Sequence, residues 1–139
     1  MQTFLPYKSF SESARCLDDK RLGKQRLEVL QILNTLTGKS TGWINHPATR
    51  MWRGYELTLC SYGLEICEEW SFNRGYKDTC YDKIYDIERE LYIKATDDDV
   101  VFSEFYPPWL TDEFCLSHRS NLIRKKPRTL PSSMARCTG

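Results

Sequence analysis

Lys20, Lys24 and Glu28 recur at every fourth residue, the spacing that stacks side chains on one face of a helix. Arg21 lies beside that face, Gln25 lies on the adjoining one, and Arg26 follows within the same two turns. A Lys24–Glu28 salt bridge on a wet surface accounts for the pair. It does not account for Lys20, Arg21, Lys24 and Arg26 crowded together, where like charges repel. Phosphate binding does, because phosphates supply the missing counter-charge.

Two further groups have residue types suited to the same task. Asn45-His46-Pro47 is followed by Arg50 and Arg53, three apart on a shared face; His46 is equally suited to starting a helix. SHRSNLIRKKPR, residues 117–128, contains His118, Arg119, Arg124, Lys125 and Lys126. Cations at the end of a helix also favour its dipole, so the last three have a local benefit of their own. His118 and Arg119 come earlier on the helix and need another reason. The sequence has no P-loop, GxGxxG, HExxH or nucleophile elbow, so common nucleotide-cofactor, zinc-protease and hydrolase readings gain no support.

Charge is unevenly distributed. The 139-residue chain carries a net charge of only +1, yet residues 15–26 sum to +3, residues 82–113 to −7 and residues 114–139 to +6. A near-neutral total can thus contain one basic and one acidic face. Two basic blocks and 13% aromatic residues raise nucleic acid above an ordinary solvated surface as the partner. Cysteines at 16, 60, 67, 80, 115 and 137 include no CxxC pair and have only two histidines as companions. They read as reduced core residues, with no metal site and no cofactor expected. No apolar run approaches a membrane span, and MQTFLPYKSF lacks the pattern of a signal peptide. The expectation is a cytoplasmic protein.

These residues need helices to position them. Ser9 and Glu12 have capping-box spacing, and Gly38 suits a helix end, so one helix is predicted from about residue 9 to 37. After a loop, Pro47 opens a second, over about 47–70, in which Met51, Trp52, Tyr55, Leu59, Tyr62 and Ile66 step by three or four. Those residues should be core rather than a base-stacking strip, and Gly54 and Gly63 should permit close packing. A third helix is predicted over about 79–95 and a last over about 111–125. The fold class is all-α: one compact domain, residues 1–126, of three to four packed helices, followed by a flexible basic tail, 127–139.

DDKRLGKQRLE on the first helix, NHPATRMW after the loop and a final helix with a basic end form a pattern. It resembles the pyrimidine-dimer DNA glycosylase family of phage endonuclease V-like enzymes, especially its divergent phage and bacterial branch. The likeness covers most of residues 1–126. It is strongest at Asp19-Lys20-Arg21, Lys24, Glu28 and Asn45-His46-Pro47. The resemblance implies an all-α enzyme that binds double-stranded DNA, removes a damaged or modified base and cleaves at the abasic site; a monomer is expected. It implies an amine nucleophile that forms an imine with the sugar, assisted by a carboxylate on the first helix, with no metal. Glu28, Lys24 and Met1 are the catalytic candidates. Lys20, Arg21, Arg26, His46, Arg50, Arg53, His118, Arg119, Arg124, Lys125 and Lys126 are the DNA-binding candidates. Two departures accompany the likeness. The family's amine is exposed by removal of the initiator Met before a small residue, whereas Gln2 is bulky and should leave Met1 in place. The family's glutamate falls near Gly23 in a gapless register, more than a turn before Glu28. The alternative is a nucleic-acid-binding protein that keeps the fold without the chemistry.

Overall fold

The computed structural model describes residues 2–97 and 107–125, without the side chains of residues 96, 97 and 123–125. Met1, Lys126 and the tail 127–139 therefore lie outside the described residues, as do the side chains of Arg124 and Lys125. The described chain is helical, with α1 Phe10–Cys16, α2 Asp19–Leu36, α3 Pro47–Trp52, α4 Glu56–Glu68, α5 Tyr81–Asp97 and α6 Asp112–Lys125. A π-helical turn, Glu69–Asn73, extends α4. No strand occurs among the described residues, as the all-α reading requires. None of the helices is long and apolar enough to cross a membrane.

Among the described residues six helices stand where three or four were expected, because both long helices are broken. Ser9 does cap the first, accepting from the Glu12 N–H at 3.4 Å. The chain then leaves the helix at Leu17, with φ −81° and ψ 140°. Asp18 restarts it as a new cap, accepting from the Arg21 N–H at 3.3 Å. The α1 carbonyls exposed by the break are met from outside. Arg74 Nη2 donates to Leu17 O at 2.7 Å and lies 3.3 Å from both Ala14 O and Arg15 O. Its Nη1 binds Asp19 at 2.8 Å. One guanidinium thus ties the end of α1 to the start of α2.

The second break falls at Gly54, whose φ of 90° no ordinary helix residue adopts. Gly63, by contrast, stays helical and lets α4 approach its neighbours: a Cβ there would lie 2.7 Å from Val29 of α2 and 3.0 Å from Ile84 of α5. So α4 is the central element, packed on α1, α2 and α5. Trp52, Leu59, Tyr62 and Ile66 are fully buried and Tyr55 is half-buried, which makes the stripe core despite the break. Cys16, Cys60, Cys67, Cys80 and Cys115 are buried and unbridged.

Arg26 is committed to this framework rather than to a basic face. It lies two residues beyond Lys24, on the other side of α2. There it pairs with Asp78 and places its guanidinium 4.5 Å over the Trp70 ring. Asp78 also accepts from the N–H groups of Cys80 and Tyr81, at 3.1 and 2.8 Å, where α5 begins. Burial pushes the Asp78 carboxyl up, but these two N–H groups and Arg26 outweigh it and hold the carboxyl below its ordinary value. A depressed carboxyl stabilises the fold above its unfolded pKa and ceases to as pH falls through its folded one. Asp78→Ala should cost about 3 kcal/mol, because it strands a buried cation. In urea titrations that difference should be constant above about pH 5 and shrink below about pH 4, the ordinary aspartate range. A pH-independent difference would show that the carboxylate charge is not what stabilises this corner.

Candidate active site

Residues 2–5 form an arm whose backbone is satisfied by side chains of α2, α4 and α6. Gln2 N–H donates to Glu28 Oε2 at 3.2 Å. Gln25 Nε2 donates to Gln2 O at 2.7 Å and to Glu28 Oε2 at 3.1 Å. Gln25 Oε1 accepts from Phe4 N–H at 2.6 Å. The Tyr62 hydroxyl lies 2.6 Å from Phe4 O and 2.7 Å from Gln25 Oε1, and shares its hydrogen between them. Leu5 N–H donates to His118 Nδ1 at 2.9 Å, and Trp52 Nε1–H to Thr3 Oγ1 at 3.1 Å.

Every polar atom of the Gln25 side chain is therefore used, and the residue is 1% exposed. Tyr62 stays protonated. Burial drives its pKa well up, the bond to Phe4 O opposes this, and the nearby Glu28 adds to the rise. His118 is neutral at ordinary pH, because burial pulls its pKa down to about 4. With Nδ1 accepting, its hydrogen resides on Nε2. His118 thus anchors the arm and brings no charge to a phosphate, which replaces the expectation drawn from its basic neighbours.

The carboxylate at the start of the arm is Glu28, 8% exposed. Lys24 Nζ stands 3.9 Å from Glu28 Oε1, on a side chain that is itself 74% exposed. Lys20, Lys24 and Glu28 stand at helical spacing on α2, and the arm's first described nitrogen meets Glu28. Gly23 is not available for such a role: it lies under the Trp70 ring, where a Cβ would come within 2.9 Å of a ring carbon. The like charges at this end of α2 are also better matched than the sequence indicated. Arg21 pairs with Asp18 at 3.3 Å, Lys24 with Glu28 and Arg26 with Asp78. Lys20 makes no ion pair among the described residues.

Other candidates gather around the arm or at its far side. The Arg21 guanidinium lies 6.0 Å from the Phe4 ring and that of Arg119, from α6, 4.9 Å from the Tyr7 ring. The Arg21 cation thus lies beside the arm, and that of Arg119 beside Tyr7, just after it. His46 caps α3, its Nδ1 accepting from the Ala48 N–H at 3.1 Å. Arg50 and Arg53 are exposed near that cap. Among the described residues no group of three or more His, Cys, Asp or Glu side chains could hold a metal.

Gln2, Thr3, Gln25 and Tyr62 carry the arm, and sequence reasoning gave none of them a role at the site. Gln25 and Tyr62 were legible only as neighbours of the basic face and as core.

The family model described as pyrimidine dimer DNA glycosylase matches residues 1–84. The chain belongs to the pyrimidine dimer DNA glycosylase family. DNA is therefore its substrate class. The matched span of this glycosylase includes the arm, α1 to α4 and the start of α5. It contains Lys20, Arg21, Lys24, Gln25, Glu28 and Tyr62, whereas α6, with His118 and Arg119, lies beyond it. No curated protein and no solved structure matches the chain.

Proposed function

We propose that this protein acts as a cytoplasmic, monomeric glycosylase and abasic-site lyase on damaged or modified double-stranded DNA, with the α-amine at the start of the arm as nucleophile. The observation that carries this reading is the 3.2 Å hydrogen bond between Gln2 N and Glu28 Oε2. If the chain begins at Met1, its α-amine is one peptide unit from that nitrogen. If it is trimmed to Gln2, the amine is that nitrogen. An α-amine ordinarily titrates near pH 8, so a useful fraction is unprotonated at neutral pH.

The unprotonated amine attacks C1′ of the damaged nucleotide, and the base leaves with the electron pair of the glycosidic bond and takes up a proton. Loss of the proton from nitrogen and opening of the sugar ring, with O4′ taking a proton, give an imine. Removal of a C2′ proton then expels the 3′ phosphate by β-elimination. Glu28 is the group placed to move these protons or to steady the developing cation. Lys20, Arg21, Lys24, Arg50, Arg53 and Arg119 would hold phosphates. Arg124, Lys125 and Lys126 remain candidates on sequence alone.

Borohydride reduction on an abasic duplex tests the proposal. A trapped covalent adduct is expected, and its peptide map should locate the amine at Met1 or Gln2. An adduct at Lys24 would transfer the nucleophile to that side chain. No adduct on abasic or pyrimidine-dimer duplexes would remove the imine chemistry and leave a DNA-binding protein.

A further inference from the structure

The loop after α2 presents two apolar side chains to solvent, Trp43 at 52% and Ile44 at 45% exposure. Trp43 has φ 64°, and among the described residues it is the one non-glycine residue with positive φ. A bulky side chain rarely occupies that region. The loop nevertheless holds it there through several bonds. Thr35 Oγ1 donates to Gly42 O at 2.6 Å, and Gly42 N–H to Ser40 Oγ at 3.2 Å. His46 N–H donates to Trp43 O at 3.0 Å, and the His46 ring meets the indole edge-on with centroids 5.4 Å apart. This is a braced tip that exposes an aromatic ring.

The tip is tied to the candidate site through α2. Thr35 follows Glu28 by seven residues, two turns along the same stripe, which is about 10 Å along the axis. Arg50 and Arg53 are exposed, Arg53 Nη2 donates to Ile44 O at 3.5 Å, and neither makes an ion pair among the described residues. An apolar wedge beside unpaired cations suits a duplex: the cations meet phosphates while the ring unstacks a base step. DNA is also the substrate class of the family, which favours a duplex over an acidic protein surface.

We infer that Trp43, supported by Ile44, is inserted against a base step of the bound duplex. The inference rests on the DNA reading above. The test uses duplexes with a stable abasic analogue and 2-aminopurine at successive positions on either side of it. Wild-type protein should raise the probe's emission at one such position. Trp43→Ala should abolish that rise and weaken binding about tenfold or more, with thermal unfolding unchanged because the ring is exposed. Trp43→Phe should retain both the rise and the affinity. Unchanged emission and affinity in Trp43→Ala would overturn the inference. So would lost affinity in a protein whose wild type never raised the emission. Failure of the wild type to bind any duplex at low salt would overturn the DNA reading as well, and is seen before any variant is compared.

Discussion

Glu28→Gln is expected to slow single-turnover base release by about 10²–10⁴-fold, the range typical of a lost proton-transfer group. The fold and the affinity for DNA should change little. A glutamine at 28 keeps an oxygen that can accept from Gln2 N–H, so the arm can stay seated while the charge is lost. Rates and thermal unfolding measured on the same preparation separate the two effects. Wild-type turnover in this variant would mean that the carboxylate acts elsewhere. The nearest alternatives are already occupied. Asp18 caps α2 and pairs with Arg21. Asp19 binds Tyr76 Oη at 2.6 Å and Arg74 at 2.8 Å, bonds that hold its carboxyl below the usual range.

Blocking the arm's α-amine, by acetylation or by added residues ahead of Met1, should abolish both the borohydride-trapped adduct and strand cleavage. Binding to duplex DNA should persist, with a log–log salt slope near −0.9 per phosphate neutralised. Lys24→Ala is the companion measurement. If Lys24 contributes a phosphate contact and not the nucleophile, its loss flattens that slope by about one contact and leaves the trapped adduct in place. A blocked protein that still forms the adduct would sink the terminal-amine assignment, and loss of the adduct in Lys24→Ala alone would move it to the lysine.

The features legible in the sequence were local ones. Ser9 caps α1, His46 caps α3 ahead of Pro47, and Gly38 ends the turn after α2 with φ 83°. Each follows from a residue's own backbone preferences. The stripe through Trp52, Leu59, Tyr62 and Ile66 was legible from periodicity. The break at Leu17 was not, because Asp18 read as one polar residue in a charged run and Arg74, which meets the freed carbonyls, is 57 residues away. The site was half legible for the same reason. Helical spacing aligned Lys20, Lys24 and Glu28. The arm reaches them through contacts spanning 21 to 113 residues, which no local pattern encodes. Gln25 has no motif, and only its burial shows what it does.

The bonding of the arm also makes it a ruler. Gln2 and Phe4 direct their polar backbone atoms at Gln25, Glu28 and Tyr62, whereas Leu5 N–H turns the opposite way, to His118. Thr3 and Leu5 are buried and Gln2 and Phe4 are half-buried. That is the two-residue alternation of an extended chain, in a protein whose described residues include no sheet. A slip of one residue would therefore exchange every inward group for an outward one. It would also lift Leu5 from a fully buried place, at a cost of roughly 2 kcal/mol. The bonding therefore selects one frame for residues 2–5. A residue inserted between Gln2 and Phe4 would shift whatever precedes it by about 3.3 Å, a full strand step.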